Sequence, residues 1–118
     1  MNRNVDTRAK IVSSAAVTEL AGARVVSGYF DPLLAWHARR LSGLKQEGRP
    51  LVVVIENPPF PILPSRARAE LVASLAGVDY VVECPGGIAV EVRLEREDEQ
   101  QFRRLIARVH ERQRGASQ

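Results

Sequence analysis

Two periodicities alternate along this chain. Val25 and Val26 centre a short apolar run, 24–27, that ends at Gly28. Leu51-Val52-Val53-Val54-Ile55 is apolar on both faces, as a strand in the middle of a parallel sheet must be. Val78 to Glu83 reads as a third strand. Between these runs the spacing becomes helical. Ser14 is placed to cap a helix over 15–20 that Gly22 ends. Asp31 and Pro32 are placed as the N-cap and first-turn proline of a second helix, with Leu33, Leu34, His37, Leu41 and Leu44 recurring up to about Lys45. Ser65 is placed to cap a third, whose apolar face is Ala67, Leu71, Val72 and Leu75 and which stops at Gly77.

The punctuation fits this alternation. Gly48-Arg49-Pro50 ends the second helix, and the four prolines between Glu56 and Pro64 forbid helix and predict a loop at the carboxyl end of the second strand. After the turn Cys84-Pro85-Gly86-Gly87, the residues Ile88, Val90, Val92 and Leu94 alternate with Ala89, Glu91 and Arg93, which predicts an edge strand wet on one face. It can pair as a hairpin with the third strand or cross to the opposite edge. A last helix begins near Glu95, with Phe102, Leu105, Ile106 and Val109 at helical spacing, and these side chains are expected to pack on the sheet. Strands alternating with helices predict an α/β fold of three layers: a small, mostly parallel four-stranded sheet with helices on both faces. Ligands of such sheets bind at the carboxyl ends of the strands.

Composition narrows the class. A chain of 118 residues holds one compact core, so 1–118 is read as a single domain. With 45% apolar and 26% charged residues it has the balance of a soluble globular protein. No apolar run is long enough to span a bilayer, and Asn2, Arg3, Asp6, Arg8 and Lys10 interrupt the segment where a signal peptide needs an apolar stretch, so a cytoplasmic location without a membrane partner is expected. The single cysteine, Cys84, rules out an intrachain disulfide and a cysteine-based zinc site from this chain alone, and is expected to be a small buried side chain. The net charge of +3 is mixed along the chain and makes no nucleic-acid footprint.

Gly28-Tyr29-Phe30-Asp31-Pro32-Leu33-Leu34-Ala35-Trp36-His37 resembles the G-x-F-D-x-x-H-x-G-H signature of the cytidylyltransferase-like nucleotidyltransferases, with Gly28, Phe30, Asp31 and His37 matching. Leu34 stands where that family has its first histidine and Trp36 where it has a glycine. Lys10-Ile11-Val12, Arg24-Val25-Val26, Arg39-Arg40-Leu41 and Arg68 with Leu71, Leu75, Val78 and Asp79 extend the likeness over about 10–83, most like the adenylyltransferase domain of heptose-phosphate enzymes. The resemblance implies a Rossmann-like fold. It also implies a nucleotide site at Gly28, Tyr29, Phe30, Asp31 and Arg68, with His37 as the catalytic residue if activity survives. After Glu83 it stops: the family's serine- and threonine-rich I-S-T-S motif, at the start of a helix that helps hold the triphosphate, has no counterpart.

In that family a nucleophile attacks the α-phosphate of a nucleoside triphosphate, pyrophosphate leaves, and magnesium accompanies the nucleotide. Leu34 can neither donate a hydrogen bond nor carry charge, and losing one such donor costs about a hundredfold or more in rate. Trp36 fills space where a glycine lets nucleotide and backbone approach, as a plug or core anchor, or alternatively as a stacking platform for a base or sugar. The resemblance with these changes implies a degenerate nucleotidyltransferase-like domain with little or no transferase activity, retaining at most binding of a nucleoside triphosphate or sugar phosphate. The alternatives are an active adenylyl- or cytidylyltransferase and a homo-oligomeric interaction module, for instance a homodimer, built on the edge strand and last helix. Arg104, Arg108 and Arg112 on that helix read as a solvated face, as does His110, and Gly86-Gly87 is a weak anion-binding signal.

Overall fold

The computed structural model describes residues 6–83 and 86–116. The expected burial of Cys84 and the start of its turn, at Cys84-Pro85, lie outside the described residues. Four strands, β1 (Arg24–Gly28), β2 (Leu51–Ile55), β3 (Tyr80–Val82) and β4 (Val92–Arg93), form one sheet in the order β3-β2-β1-β4, and every neighbouring pair is parallel. The helices are α1 (Ser14–Thr18), α2 (Ala35–Leu44), α3 (Ser65–Ala73) and α4 (Glu95–Ala116). This is a Rossmann-like α/β fold.

The pleat of β2 explains its unbroken apolar sequence. Leu51, Val53 and Ile55 face a cluster with Leu41 and Leu44 of α2 and Ala69, Val72 and Ala73 of α3. Val52 and Val54 face the opposite cluster with Val17 of α1. Both faces are therefore dry, which is the condition that lets a strand dispense with alternation.

Several boundaries depart from expectation, each for a local reason. The cap of α1 is Ser13, whose hydroxyl accepts from Ala16 N–H at 3.2 Å. Asp31 and Pro32 lie outside α2, which starts at Ala35, because the Asp31 carboxylate is taken by another segment and the ring of His37 accepts the Leu34 N–H instead. Ser65 is the first residue of α3 rather than its cap, and its hydroxyl donates to Glu83. Leu71 is 42% exposed, since α3 turns Arg68, Ala69, Val72 and Ala73 inward. The fourth strand is two residues rather than 88–94, and it crosses over to lie parallel beside β1. Ile88 and Val90 do not lengthen that strand; they pack as loop residues on the Val52 and Val54 face.

The largest departure is α4. Its first turn is docked, but Phe102, Leu105, Ile106 and Val109 are 40%, 39%, 40% and 42% exposed, so the expected packing of this face on the sheet is not formed. Every described side chain from Phe102 to Gln113 is exposed. At about 1.5 Å per residue the 22-residue helix is roughly 33 Å long, and it accounts for a molecule measuring 57 × 38 × 26 Å.

At the opposite end of the sheet, Lys45 Nζ donates to Asp79 Oδ2 at 2.6 Å, and the same oxygen accepts from Leu51 N–H at 2.7 Å, fixing the start of β2. Burial pushes the Asp79 carboxyl up, but Lys45 and the Leu51 N–H outweigh it and hold the pKa below its ordinary value. A folded-state pKa below the unfolded one contributes stability above about pH 4 that is lost as pH falls through the lowered value. Asp79→Asn is therefore expected to be less stable than the native chain at neutral pH, with the gap narrowing in denaturant titrations as pH falls through and below the ordinary carboxylate range. A gap that stays constant with pH would mean that charge is not its cause.

Candidate functional site

β1 delivers Gly28 to the carboxyl edge of the sheet, and the chain then turns through Phe30 at φ 50° with the Phe30 ring fully buried. That left-handed backbone is uncommon for a non-glycine residue, and such residues persist where the surroundings over-determine them. The ring folds back over Gly28: a Cβ there would lie 2.7 Å from Phe30 Cε2 and 3.2 Å from Asp98 Oδ2. Glycine is needed because an aromatic ring and a carboxylate converge on its α-carbon.

His37 is 2% exposed and engaged on every side. Its Nδ1 accepts from Leu34 N–H at 2.9 Å, so that nitrogen is unprotonated and Nε2 carries the hydrogen, which it donates to Asp98 Oδ1. Trp36 stacks on the imidazole at 3.9 Å between centroids, and Phe30 tilts against it at 5.0 Å. Trp36 itself is half-buried, and its Nε1 has no hydrogen-bond partner among the described residues.

The other oxygen of Asp98, Oδ2, accepts from Tyr29 N–H at 2.9 Å. One carboxylate thus bridges the turn after β1 and His37. Beside it Ser27 Oγ donates to Glu95 Oε1 at 2.6 Å, and Arg40 pairs with Glu97 at 3.2 Å. The first turn of α4 is clamped to β1 and α2 by its acids.

Arg68 and Asp31 serve the loop that follows β2. Arg68 is 1% exposed. Its Nε donates to Leu63 O at 3.0 Å, its Nη1 to Tyr29 O at 3.1 Å and Glu56 O at 2.8 Å, and its Nη2 to Asn57 Oδ1 at 2.6 Å. Asp31 accepts from Ile62 N–H at 2.7 Å and Leu63 N–H at 2.8 Å. The proline-rich segment has few N–H groups, and two of those it has close on Asp31.

A cleft of about 280 Å³ opens above this arrangement, between Tyr29, the loop residues Phe60 and Ile62, and Asp98, Glu99 and Phe102 of α4. Gly28, Phe30, His37, Arg68 and Trp36 do not line it, whereas Tyr29 and Asp31 do. Its charged lining groups are all carboxylates: Asp31, Asp98 and Glu99. Burial, and then the carboxylates of Glu99, Glu95, Asp98 and Glu56, push the Tyr29 phenol above its ordinary pKa, as a field of negative sign must. Among the described residues no group of three or more His, Cys, Asp or Glu side chains is arranged to hold a metal ion. Also among the described residues, no helix is long and apolar enough to cross a membrane.

The sequence places Gly28, Tyr29, Phe30, Asp31 and His37 together, and the fold does bring them to one edge. Asp98 escaped sequence reasoning because it reads as one acid among several in a first turn. A signal was present: Asp98 precedes Phe102 by four residues, so it lies on the apolar stripe of α4, where a carboxylate has no reason to be unless something receives it. No protein-family model matches this chain, and no curated protein matches it. The likeness to the cytidylyltransferase-like family rests on the residues of 10–83 themselves.

Proposed function

We propose that this chain is a nucleotidyltransferase-like domain without effective transferase activity, in which the carboxylate of Asp98 takes the place of a bound phosphate. One observation carries it: the Tyr29 N–H at the signature turn and the Nε2–H of His37, donors that the resemblance aims at phosphate, both end on Asp98. A second anion entering there meets a carboxylate already in possession of the donors.

Three further features support this reading. The cleft is lined by acids with no lysine, arginine or histidine among them, which repels a triphosphate. The Arg68 guanidinium is committed to protein oxygens. And α4 begins at the carboxyl edge of β1 with Glu95 and Asp98 in its first turn, anionic side chains at a helix start where the related enzymes carry hydroxyls. Trp36, stacked on His37, acts as an anchor that keeps the imidazole against Asp98. Magnesium enters only as the companion of a nucleotide, and the ligand class left to the site is a phosphorylated small molecule held weakly. The exposed face of α4 favours a second role in assembly.

Purified protein is expected to release no detectable pyrophosphate from ATP or CTP in the presence of sugar phosphates or alcohol phosphates. Robust turnover abolished by His37→Ala would overturn the proposal in favour of an active nucleotidyltransferase.

A further inference from the structure

Among the described residues nothing covers the apolar stripe of α4, and the stripe is symmetric in spacing. Phe102, Leu105, Ile106 and Val109 are each about two-fifths exposed, and their positions mirror about the midpoint between Leu105 and Ile106. A second copy laid along the stripe in either direction gives every position an apolar neighbour, and an antiparallel one sets Phe102 against Val109 and Leu105 against Ile106.

The charges choose between the two directions. Residues 95–99 carry four acids and one arginine, and residues 103–113 carry four arginines and one glutamate. Laid parallel, Arg103, Arg104, Arg108 and Arg112 would lie level with their own copies. Laid antiparallel, Arg104 lies level with Ala107 and Arg112 with Glu99 at the rim of the cleft, and only Arg103 and Arg108 still face one another, so four like-charge pairs become two like and two unlike. The stripe is also continuous with the cleft, because Phe102 lines both, and the cleft wall adds Phe60 and Ile62, 91% and 62% exposed. An acidic, apolar groove and a basic, apolar arm on one molecule are complementary halves of a two-fold interface.

We infer that this chain forms an antiparallel homodimer through α4, each arm crossing the other at Leu105 and Ile106 and carrying its Arg112 toward Glu99 at the acidic cleft of its partner. This interface goes beyond the occluded-site reading and stands whether or not that reading holds.

Sedimentation equilibrium of the full chain at micromolar to submillimolar concentration and low salt tests it. A dimer that weakens as salt rises is expected, and the double substitution Leu105→Glu and Ile106→Glu should weaken association by about 100-fold or more while leaving the circular dichroism of the folded chain in place. Orientation is read from single cysteines in a Cys84→Ser background. Phe102→Cys alone should not cross-link, since its copy lies about 10 Å away along the axis, beyond the roughly 7 Å Cα reach of a disulfide. Mixed with Val109→Cys it should cross-link readily. A chain that stays monomeric throughout this range, a dimer indifferent to the double substitution, or equal cross-linking by each cysteine alone overturns the proposal. So does a monomer that pellets with anionic lipid vesicles, which would assign the stripe to a lipid surface.

Discussion

Arg68→Met is expected to cost about 3 to 5 kcal/mol. Methionine approximates the length of the arginine stem, so packing against α3 is largely kept, and the effect isolates the guanidinium. What is lost is the common anchor of Tyr29 O, Glu56 O, Leu63 O and Asn57 Oδ1, three carbonyls and a side-chain amide drawn from the turn after β1 and the loop after β2. Buried acceptors left without a donor cost about 1 to 3 kcal/mol each before water relieves some of them. For a domain of this size that is a fall in Tm of roughly 10 to 20 °C. Arg68→Lys should recover less than half, because an ammonium cannot reproduce the planar fork that reaches both segments. Thermal unfolding by circular dichroism checks it, and a lysine variant as stable as the native chain would show that charge, not the fork, holds the loops.

The same residue shows how far sequence reading reached. Its position was legible, since the arginine follows a proline-rich loop and opens a helix at the ligand edge. Whether its guanidinium faces outward to phosphate or inward to carbonyls is decided by how the loop after β2 and the turn after β1 fold around it, and the structure turns it inward. Asp31 is similar: a cap by local logic, it is drawn instead to Ile62 and Leu63, N–H groups some thirty positions away that need an acceptor. Local rules rank partners within a turn of chain, and tertiary structure supplies better ones.

Strands were most legible where they are driest. Leu51–Ile55 is identical in pattern and structure because burial on both faces leaves no other use for five consecutive apolar residues. The alternation over 88–94 misled, because Ile88 and Val90 are half-buried by packing on the Val52 and Val54 face as loop residues, which also produces apolar positions two apart. The apolar face of α4 was legible as a face and illegible as to its partner. Periodicity says that a stripe is covered, and not by which molecule.

Asp98→Ala is expected to expose the site that Asp98 now fills. Two buried donors, the Tyr29 N–H and His37 Nε2–H, lose their acceptor, which should cost about 2 to 4 kcal/mol, less than two fully dry orphans because the cleft borders the position and admits water. The same vacancy is shaped for a tetrahedral or planar anion. Inorganic phosphate, which should do nothing for the native chain, should then raise the melting temperature of the variant: at about ten times its dissociation constant it returns roughly 1.4 kcal/mol. Asp98→Asn provides the control, since its amide oxygen can still accept one of the two hydrogen bonds while its NH2 group meets the other donor head-on, so it should be destabilised yet respond weakly to phosphate. The sign of the comparison is what matters. Phosphate stabilising the alanine variant and not the native chain means that Asp98 occupies an anion site. Equal stabilisation of both, or of neither, removes the carboxylate from that role and leaves the contact with His37 and Tyr29 as a fastening for α4 alone.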